Sequence, residues 1–295
     1  MDEATSRAGQ ASRVTVPKLE PAPATVLDFL RGRFSRIQDW ESRVERGLVR
    51  FEGGEVVSAA TPCRPGLVIE YFREVAEEER IPFEARILHQ DARLLVADKP
   101  AFLPVVPAGG YVKETLLARL QAETGIEDLV PLHRLDRETA GLVLFSVDPS
   151  TRAAYAGLFS GERIRKTYEA LAVAATEPAL REWRVENRLE SGEPFFRMAI
   201  VPGAPNARST IRLLAWKDGR GRFEIRPETG KKHQIRLHML AIGYPILNDR
   251  LYPELLPEGP PDHAHPLQLL AKRLEFVDPV SGEARCFESE QTLKG

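Results

Sequence analysis

Asp136 stands between Arg134 and Arg137 in the stretch HRLDRETAGL, residues 133–142. Pro131 opens the segment with a fixed turn geometry, and Gly141 leads into Leu142, Val143, Leu144 and Phe145, an apolar run that marks a buried strand. A carboxylate at the mouth of such a strand is either half of a salt-bridged turn or a reacting group. Two further stretches carry groups able to assist it: RKTYEAL, with Lys166 and Tyr168, and TGKKHQIR, with Lys231, Lys232, His233 and Arg236.

Other chemistries lack their residues. His233 and His238 are five apart, which on a helix separates them by about 140°, too far to share a metal as an i, i+4 pair does. His263 and His265 fall in a proline-rich loop suited to the surface. There is no GxxxxGK[ST] phosphate loop and no G-x-S-x-G nucleophile elbow. Cys63 and Cys286 are the only cysteines, in no metal-type spacing, and read as reduced thiols. No redox cofactor has a fingerprint here, so neither metal nor cofactor is expected.

The elements that must position these groups follow from periodicity and turn signals. Residues 1–22 are polar and end in KLEPAPA, which predicts a disordered arm. From 23 to 75 a small helix–hairpin unit is expected. Ser35 and Gln38 form a capping box, Ile37, Trp40, Val44 and Leu48 share a helical face, and Gly47 stands at the C-cap. LVRFEGGEVV reads as a hairpin around Gly53-Gly54, and RPGLVIEYF as a turn and strand. Residues 76–82 are an acidic linker, and 83–295 a larger unit. There, helices are expected at ETLLARLQAE, TRAAYAGLFSG and TGKKHQIRLHMLAIG, the last with Ile235, Met239 and Ile242 inward and Gly243 as its stop. Strands are expected at RILHQDARLLVADKP, 142–147, KTYEALAVA, FRMAIV, STIRLLAW and RFEIRP. Strands outnumber helices without regular βαβ alternation. The fold class is therefore α+β, with a mixed, largely antiparallel central sheet and flanking helices.

The 295 residues are 43% hydrophobic and 28% charged, as in a soluble globular chain, and the net charge is −2. No apolar run approaches the roughly 20 residues of a membrane helix, and the acidic start MDEATSRAGQ has no signal-peptide core; a cytoplasmic protein is expected. A near-neutral chain is no generic polyanion binder, but two local excesses of positive charge stand out. Residues 31–50 hold six arginines against three acids, and residues 226–240 hold Arg226, Lys231, Lys232 and Arg236 against Glu228 alone. Such faces suit either solvent or a bounded nucleic-acid footprint.

HRLDRETAGLVLF resembles the catalytic signature of the RluA family of pseudouridine synthases, H-R-L-D-x-x-T-S-G-L. Lys99-Pro100-Ala101 matches that family's K-P-A-G segment, RKTYEAL its lysine–tyrosine strand, and RPETGKKHQIRLHMLAIGYPILNDRLYP its long C-terminal motif. The four occur in the family's order and cover the chain from about residue 83 onward. The sequence departs from the pattern at Ala140, usually serine; at Phe102 and Asn248, usually glycine; and at Lys231, commonly arginine. Residues 25–73 resemble a diverged alpha-L-type RNA-binding domain through Ser35-Arg36, Gly47-Leu48-Val49 and Arg64-Pro65-Gly66.

The resemblance implies the pseudouridine synthase fold and isomerisation of specific uridines in ribosomal or transfer RNA. That reaction breaks a base–sugar bond, rotates the base and rejoins it through carbon 5, with no redox change and no donor. It implies Asp136 as the catalytic carboxylate, adding to the sugar, adding to the base or removing a sugar proton. Arg236 is its ion-pair partner, and Tyr168 a flat face for the uracil and a proton relay. A stacked base must be extruded, at a cost of a few kcal/mol; Arg134 is the group to fill the vacated space. Lys166, Lys231, Lys232 and His233 are the expected phosphate contacts, and Lys99 a brace for the motif loop. RNA is the expected partner and a monomer the expected assembly. The competing reading is an RNA-binding protein on this scaffold with catalysis lost.

Overall fold

A computed structural model of the chain describes residues 6–7, 11–34, 37, 39–72, 74–75, 78–174, 176–257 and 259–294. It divides into two compact units, Met1–Glu79 with Pro107–Glu114, and Arg80–Val106 with Thr115–Gly295.

The first unit contains β1 (Ser6–Arg7), β2 (Ser12–Thr15), α1 (Val26–Arg33), α2 (Trp40–Glu45), β3 (Val49–Phe51), β4 (Val68–Tyr71) and β5 (Glu74–Val75). α1 starts where Thr25 and Asp28 form a reciprocal capping box, each side chain accepting the other's backbone N–H. The Ser35–Gln38 box expected from the sequence lies outside the described residues. α2 is followed by Gly47 at φ 69°, the left-handed conformation that ends a helix. Its buried Trp40 and Val44 pack on Val26, Leu30, Ile69 and Tyr71.

Three sequence expectations gain detail here. The arm at 1–22 is not disordered throughout: Ser12–Thr15 forms β2, paired antiparallel with β4, and Val16 is buried. The division between the units falls within the expected linker 76–82, after Glu79, and the Glu78 carboxylate accepts the backbone N–H groups of Val112, Lys113 and Glu114 and ties 107–114 into the first unit. And the arginine-rich face is largely engaged within itself. Arg31 pairs with Asp28 and Glu41, Arg50 with Glu70, and buried Arg43 with Asp39 and the Phe72 carbonyl. Arg43 is a core brace.

The second unit contains β6 (Arg86–Gln90), β7 (Leu94–Lys99), α3 (Leu116–Thr124), β8 (Val130–Pro131), β9 (Ala140–Ser146), α4 (Arg152–Ser160), β10 (Ile164–Val173), β11 (Glu182–Ser191), β12 (Met198–Val201), β13 (Ala207–Lys217), β14 (Arg220–Pro227), α5 (Gln234–Ala241), β15 (Leu269–Val277) and β16 (Ala284–Glu288). One sheet runs in the order β12-β11-β13-β14-β10-β15-β9-β7-β6, with β16 beside β15 and β8 beside β9. Every pairing in it is antiparallel except β9 with β15, so the expected mixed, largely antiparallel sheet is what forms.

The parallel joint is short because β15 gives only Leu270 and Ala271 to β9 before β16 takes over that edge. Gly141 makes it possible. It sits at φ 113°, and a Cβ there would collide with the Ala271 backbone. The chain that enters β9 through this joint is the Asp136 loop. β7 and β9 are buried along almost their whole length, which explains their near-continuous apolar sequence. α4 covers them with Tyr155 and Leu158 against Leu94, Val96, Leu142 and Leu144. α5 presents Ile235 and Met239 to Ala170, Ala172, Ile211, Phe223 and Ile225, as its spacing predicted.

Candidate active site

The HRLD loop joins β8 to β9 and is pinned from both sides. The Thr139 N–H donates to the Asp136 carbonyl (3.1 Å), closing a tight turn. Lys99, fully buried at the end of β7, donates from Nζ to the carbonyls of Pro100 (2.9 Å), Leu103 (2.8 Å) and Arg137 (3.0 Å). Burial lowers its pKa to about 7, against an upward pull from Asp136. His133 stacks on Phe159 (4.5 Å between centroids), and its Nε2 accepts the Leu144 N–H (3.1 Å). It is therefore the Nδ1–H tautomer, and burial followed by Lys166 holds its pKa down to about 3. The loop is a rigid ledge.

On that ledge the Asp136 side chain is 32% exposed. Arg236 Nη1 approaches it to 3.5 Å and His233 Nε2 to 3.8 Å. The resemblance made Asp136 the partner of Arg236; the structure gives Arg236 a stronger one. Asp249, 1% exposed, takes its Nε (2.7 Å) and Nη2 (2.5 Å) in a two-pronged pair, and also accepts the N–H groups of Leu251 and Tyr252. With two prongs fixed, the planar guanidinium aims its third nitrogen at Asp136. Burial alone would lower the Arg236 pKa; the bonds and charge of Asp249, then Asp136, raise it instead. Asp249 was missed because it lies 13 residues on, past the end of α5, where no periodicity links it to Arg236.

α5 begins at Gln234, five residues later than the helix expected from Thr229 in TGKKHQIRLHMLAIG, because residues 229–233 form the corner that leads into it. His233 precedes it in a left-handed conformation, φ 53°. Gln234 fixes this corner: its Oε1 accepts from Thr229 Oγ1 and the Lys231 N–H, and its Nε2 donates to the Arg208 carbonyl and Ser209 Oγ. His233 was expected to contact phosphate. It is instead buried, its Nδ1 2.8 Å from the Tyr252 hydroxyl, and burial lowers its pKa to about 4 while Asp136 opposes. It is a neutral wall beside Asp136, not a surface cation.

Tyr168 sits in β10 where its register with β15 shifts: Thr167 faces Arg273 and Tyr168 faces Ala271, with Lys272 as the extra residue on β15. It packs against the core that holds Ile235 and Met239, and its pKa is raised by burial and then by the Asp136 charge. So Tyr168, Arg236 and His233 all act electrostatically with Asp136. Arg134 is exposed, with no ion pair or hydrogen bond among the described residues. Lys231 and Lys232 are exposed at the corner before α5, Lys232 donating to the Phe196 carbonyl (2.7 Å). Lys166 is half-buried, donates to the Thr229 carbonyl (3.3 Å), and burial lowers its pKa.

Two departures from the family pattern gain a physical meaning. Phe102 and Asn248, standing where glycine is usual, have φ 68° and 64°. Asparagine tolerates that region readily, whereas phenylalanine does not; Phe102 is held there by Phe83, stacked at 6.1 Å, and His263, edge-on at 4.9 Å.

The model of the RNA pseudouridylate synthase family matches residues 93–241. The chain is 32% identical over 234 residues to an uncharacterized RNA pseudouridine synthase of Synechocystis sp., covering 77% of this chain and 79% of that one. It is 29% identical over 215 residues to the dual-specificity RNA pseudouridine synthase RluA of Haemophilus influenzae, covering 69% of this chain and 92% of that one. Among solved structures, human RNA pseudouridylate synthase domain containing 1 aligns over 73% of this chain and 86% of its own with a TM-score of 0.59 at 20% identity, a likeness of fold.

Proposed function

Because the chain belongs to the RluA family of RNA pseudouridine synthases, an isomerase fold and activity are its starting point, and we propose that Asp136 performs the isomerisation on a uridine flipped out of ribosomal or transfer RNA. The observation that carries this reading is the half-open carboxylate of Asp136 beside Arg236 Nη1 at 3.5 Å, with Arg236 itself fixed by Asp249. A group that served only as a salt-bridge partner would be redundant there, since Asp249 already neutralises the buried arginine.

Addition to the sugar, addition to the base and removal of a sugar proton all need an ionised carboxylate with one side held and one side open. The guanidinium supplies the hold, and the exposed side of Asp136 supplies the approach. Neutral His233, held through Nδ1 against Tyr252, walls one side of the carboxylate and limits water without competing for the charge. As the base–sugar bond breaks, the base turns and carbon 5 joins the sugar, after which carbon 5 must lose a proton. Tyr168 holds its own proton firmly, so it offers a ring face to the uracil and passes the carbon 5 proton on only in concert with giving up its own. Exposed Arg134 fills the stack left by the flipped base, and Lys231 and Lys232 meet phosphates. Half-buried Lys166 borders the same corner and can reach a phosphate only at its rim.

Mapping pseudouridine across total RNA from cells with and without the gene tests the substrate class. Sites in ribosomal or transfer RNA that vanish with the gene are expected. Sites lost only from other RNA would overturn the substrate, and no lost site at all would favour binding without catalysis.

A further inference from the structure

Tyr252 touches both side chains that approach Asp136. It is buried, and the Arg236 and Arg197 guanidinium groups lie over its ring, 5.3 and 4.9 Å from the centroid. A cation so placed is attracted by the negative face of the ring. The His233 imidazole meets the same ring edge-on at 5.6 Å. The Tyr252 backbone N–H donates to Asp249 Oδ1 (3.1 Å), the carboxylate that fixes Arg236. Ring and backbone thus bear on Arg236. The hydroxyl bears on His233.

Three contacts converge on that hydroxyl oxygen. The Met198 N–H donates to it (2.8 Å), the Met198 carbonyl lies 3.1 Å away, and His233 Nδ1 lies 2.8 Å away. A phenol has one proton to give and lone pairs to accept with, whereas a carbonyl can only accept. The hydroxyl proton therefore goes to the Met198 carbonyl, and the remaining lone pair bonds His233 only if Nδ1 carries a proton. Placing the hydroxyl proton on Nδ1 instead would leave two oxygens 3.1 Å apart with no proton between them, a repulsive contact. The first arrangement satisfies all three contacts. It makes His233 the Nδ1–H tautomer, with a bare lone pair at Nε2. That nitrogen stands 3.8 Å from Asp136 Oδ2, beyond hydrogen-bond reach, as two acceptors should.

We propose that Tyr252 is a positioning residue for the isomerisation: its hydroxyl holds His233 as the Nδ1–H tautomer, so that no imidazole N–H ties up the Asp136 carboxylate. The proposal rests on the reading of Asp136 as the reacting group. A hydrogen bond donated to a carboxylate stabilises its charged form. For a carboxylate that must add to the substrate or take a proton from it, each such bond made before reaction deepens the ground state and raises the barrier. Arg236 already supplies one hold, at 3.5 Å. An Nε2–H turned to the same oxygen would add a second. The lone pair leaves Oδ2 available to the uridine, while the imidazole ring still fills the space against water.

The test reads the tautomer directly. In full-length protein labelled with nitrogen-15 at neutral pH, imidazole nitrogen shifts tell a protonated ring nitrogen from a bare one, and the His233 signals are identified by their loss in His233→Gln. Nδ1 protonated and Nε2 bare is expected; Nε2 protonated overturns the proposal. Tyr252→Phe keeps the ring beneath both guanidinium groups and removes only the hydroxyl. It should move His233 toward the Nε2–H form and lower kcat about ten- to hundredfold, the range of one hydrogen bond to a charged group. KM should stay near wild type, because the free and the substrate-bound enzyme are affected alike. An unchanged kcat overturns the proposal. So does a loss of activity with His233 still protonated on Nδ1, which would make the hydroxyl a brace for Met198 alone. The wild-type spectrum decides even where Tyr252→Phe does not fold. It needs no turnover, so its failure is separable from a failure of Asp136 as the reacting group.

Discussion

At the scale of single residues, the site depends on an arginine that answers to two carboxylates of different kinds. Asp249 is buried and two-pronged, while Asp136 is half-open and touched by one nitrogen. Removing either partner of a buried pair leaves an uncompensated charge and typically costs roughly 3–5 kcal/mol, whereas an exposed pair is worth little. Arg236→Ala and Asp249→Ala should therefore each lower the urea unfolding midpoint sharply and by similar amounts, while Asp136→Asn leaves it nearly unchanged. If Asp136→Asn destabilises as much as Asp249→Ala, the division of labour is wrong and Asp136 is structural.

At the scale of elements, β7, the HRLD loop and the start of α5 act as one scaffold. Lys99 at the end of β7 holds three carbonyls, and a buried acceptor stripped of its donor costs about 1–3 kcal/mol. Lys99→Met should lower the unfolding midpoint and, by loosening the ledge under Asp136, reduce kcat by about ten- to hundredfold; a stable variant with normal kcat would remove Lys99 from the brace. The HRLD loop, the residue before α5 and α5 itself also carry neutral histidines shielded from water. Burial lowers His133 to about 3 and His233 and His238 to about 4, all below their ordinary value of 6.5. The unfolded chain then binds protons that the fold excludes, so their contribution is complete above pH 6.5 and is lost as pH falls toward 4. His238→Asn, away from Asp136 and bonded to Asn187, should make the urea midpoint fall less steeply between pH 6.5 and 4; an unaltered slope would contradict the burial argument. Much of this scaffold was legible in sequence. α3, α4 and α5, and β9, β10, β13 and β14, follow from apolar spacing and from Gly and Pro punctuation. What was hidden is set by long-range pairing. β11 and β15 are recognised only through their partners, α1 declares itself by a Thr25–Asp28 cap upstream of the one expected, and Asp249 meets Arg236 by the path of a loop.

At the scale of the whole molecule, the groups proposed for the chemistry all lie in the unit Arg80–Val106 with Thr115–Gly295, and the front unit offers arginines that are mostly paired internally. Exposed ion pairs exchange for phosphates at little cost, but buried Arg43 cannot. Deleting residues 1–79 should leave turnover at saturating RNA measurable and make the logarithm of affinity fall less steeply with salt, by about one unit of slope for each phosphate no longer neutralised. An unchanged slope would make the front arginines internal braces only. The most direct measurement for the whole account is pseudouridine formation by Asp136→Asn, quantified base by base in total RNA lacking the modification, with RNA affinity measured in parallel. The substitution keeps the shape of the side chain and removes its charge and nucleophilicity. The account predicts wild-type modification at defined uridines, none by Asp136→Asn, and affinities within a few-fold of each other. Modification by Asp136→Asn at a rate near that of wild type would contradict it.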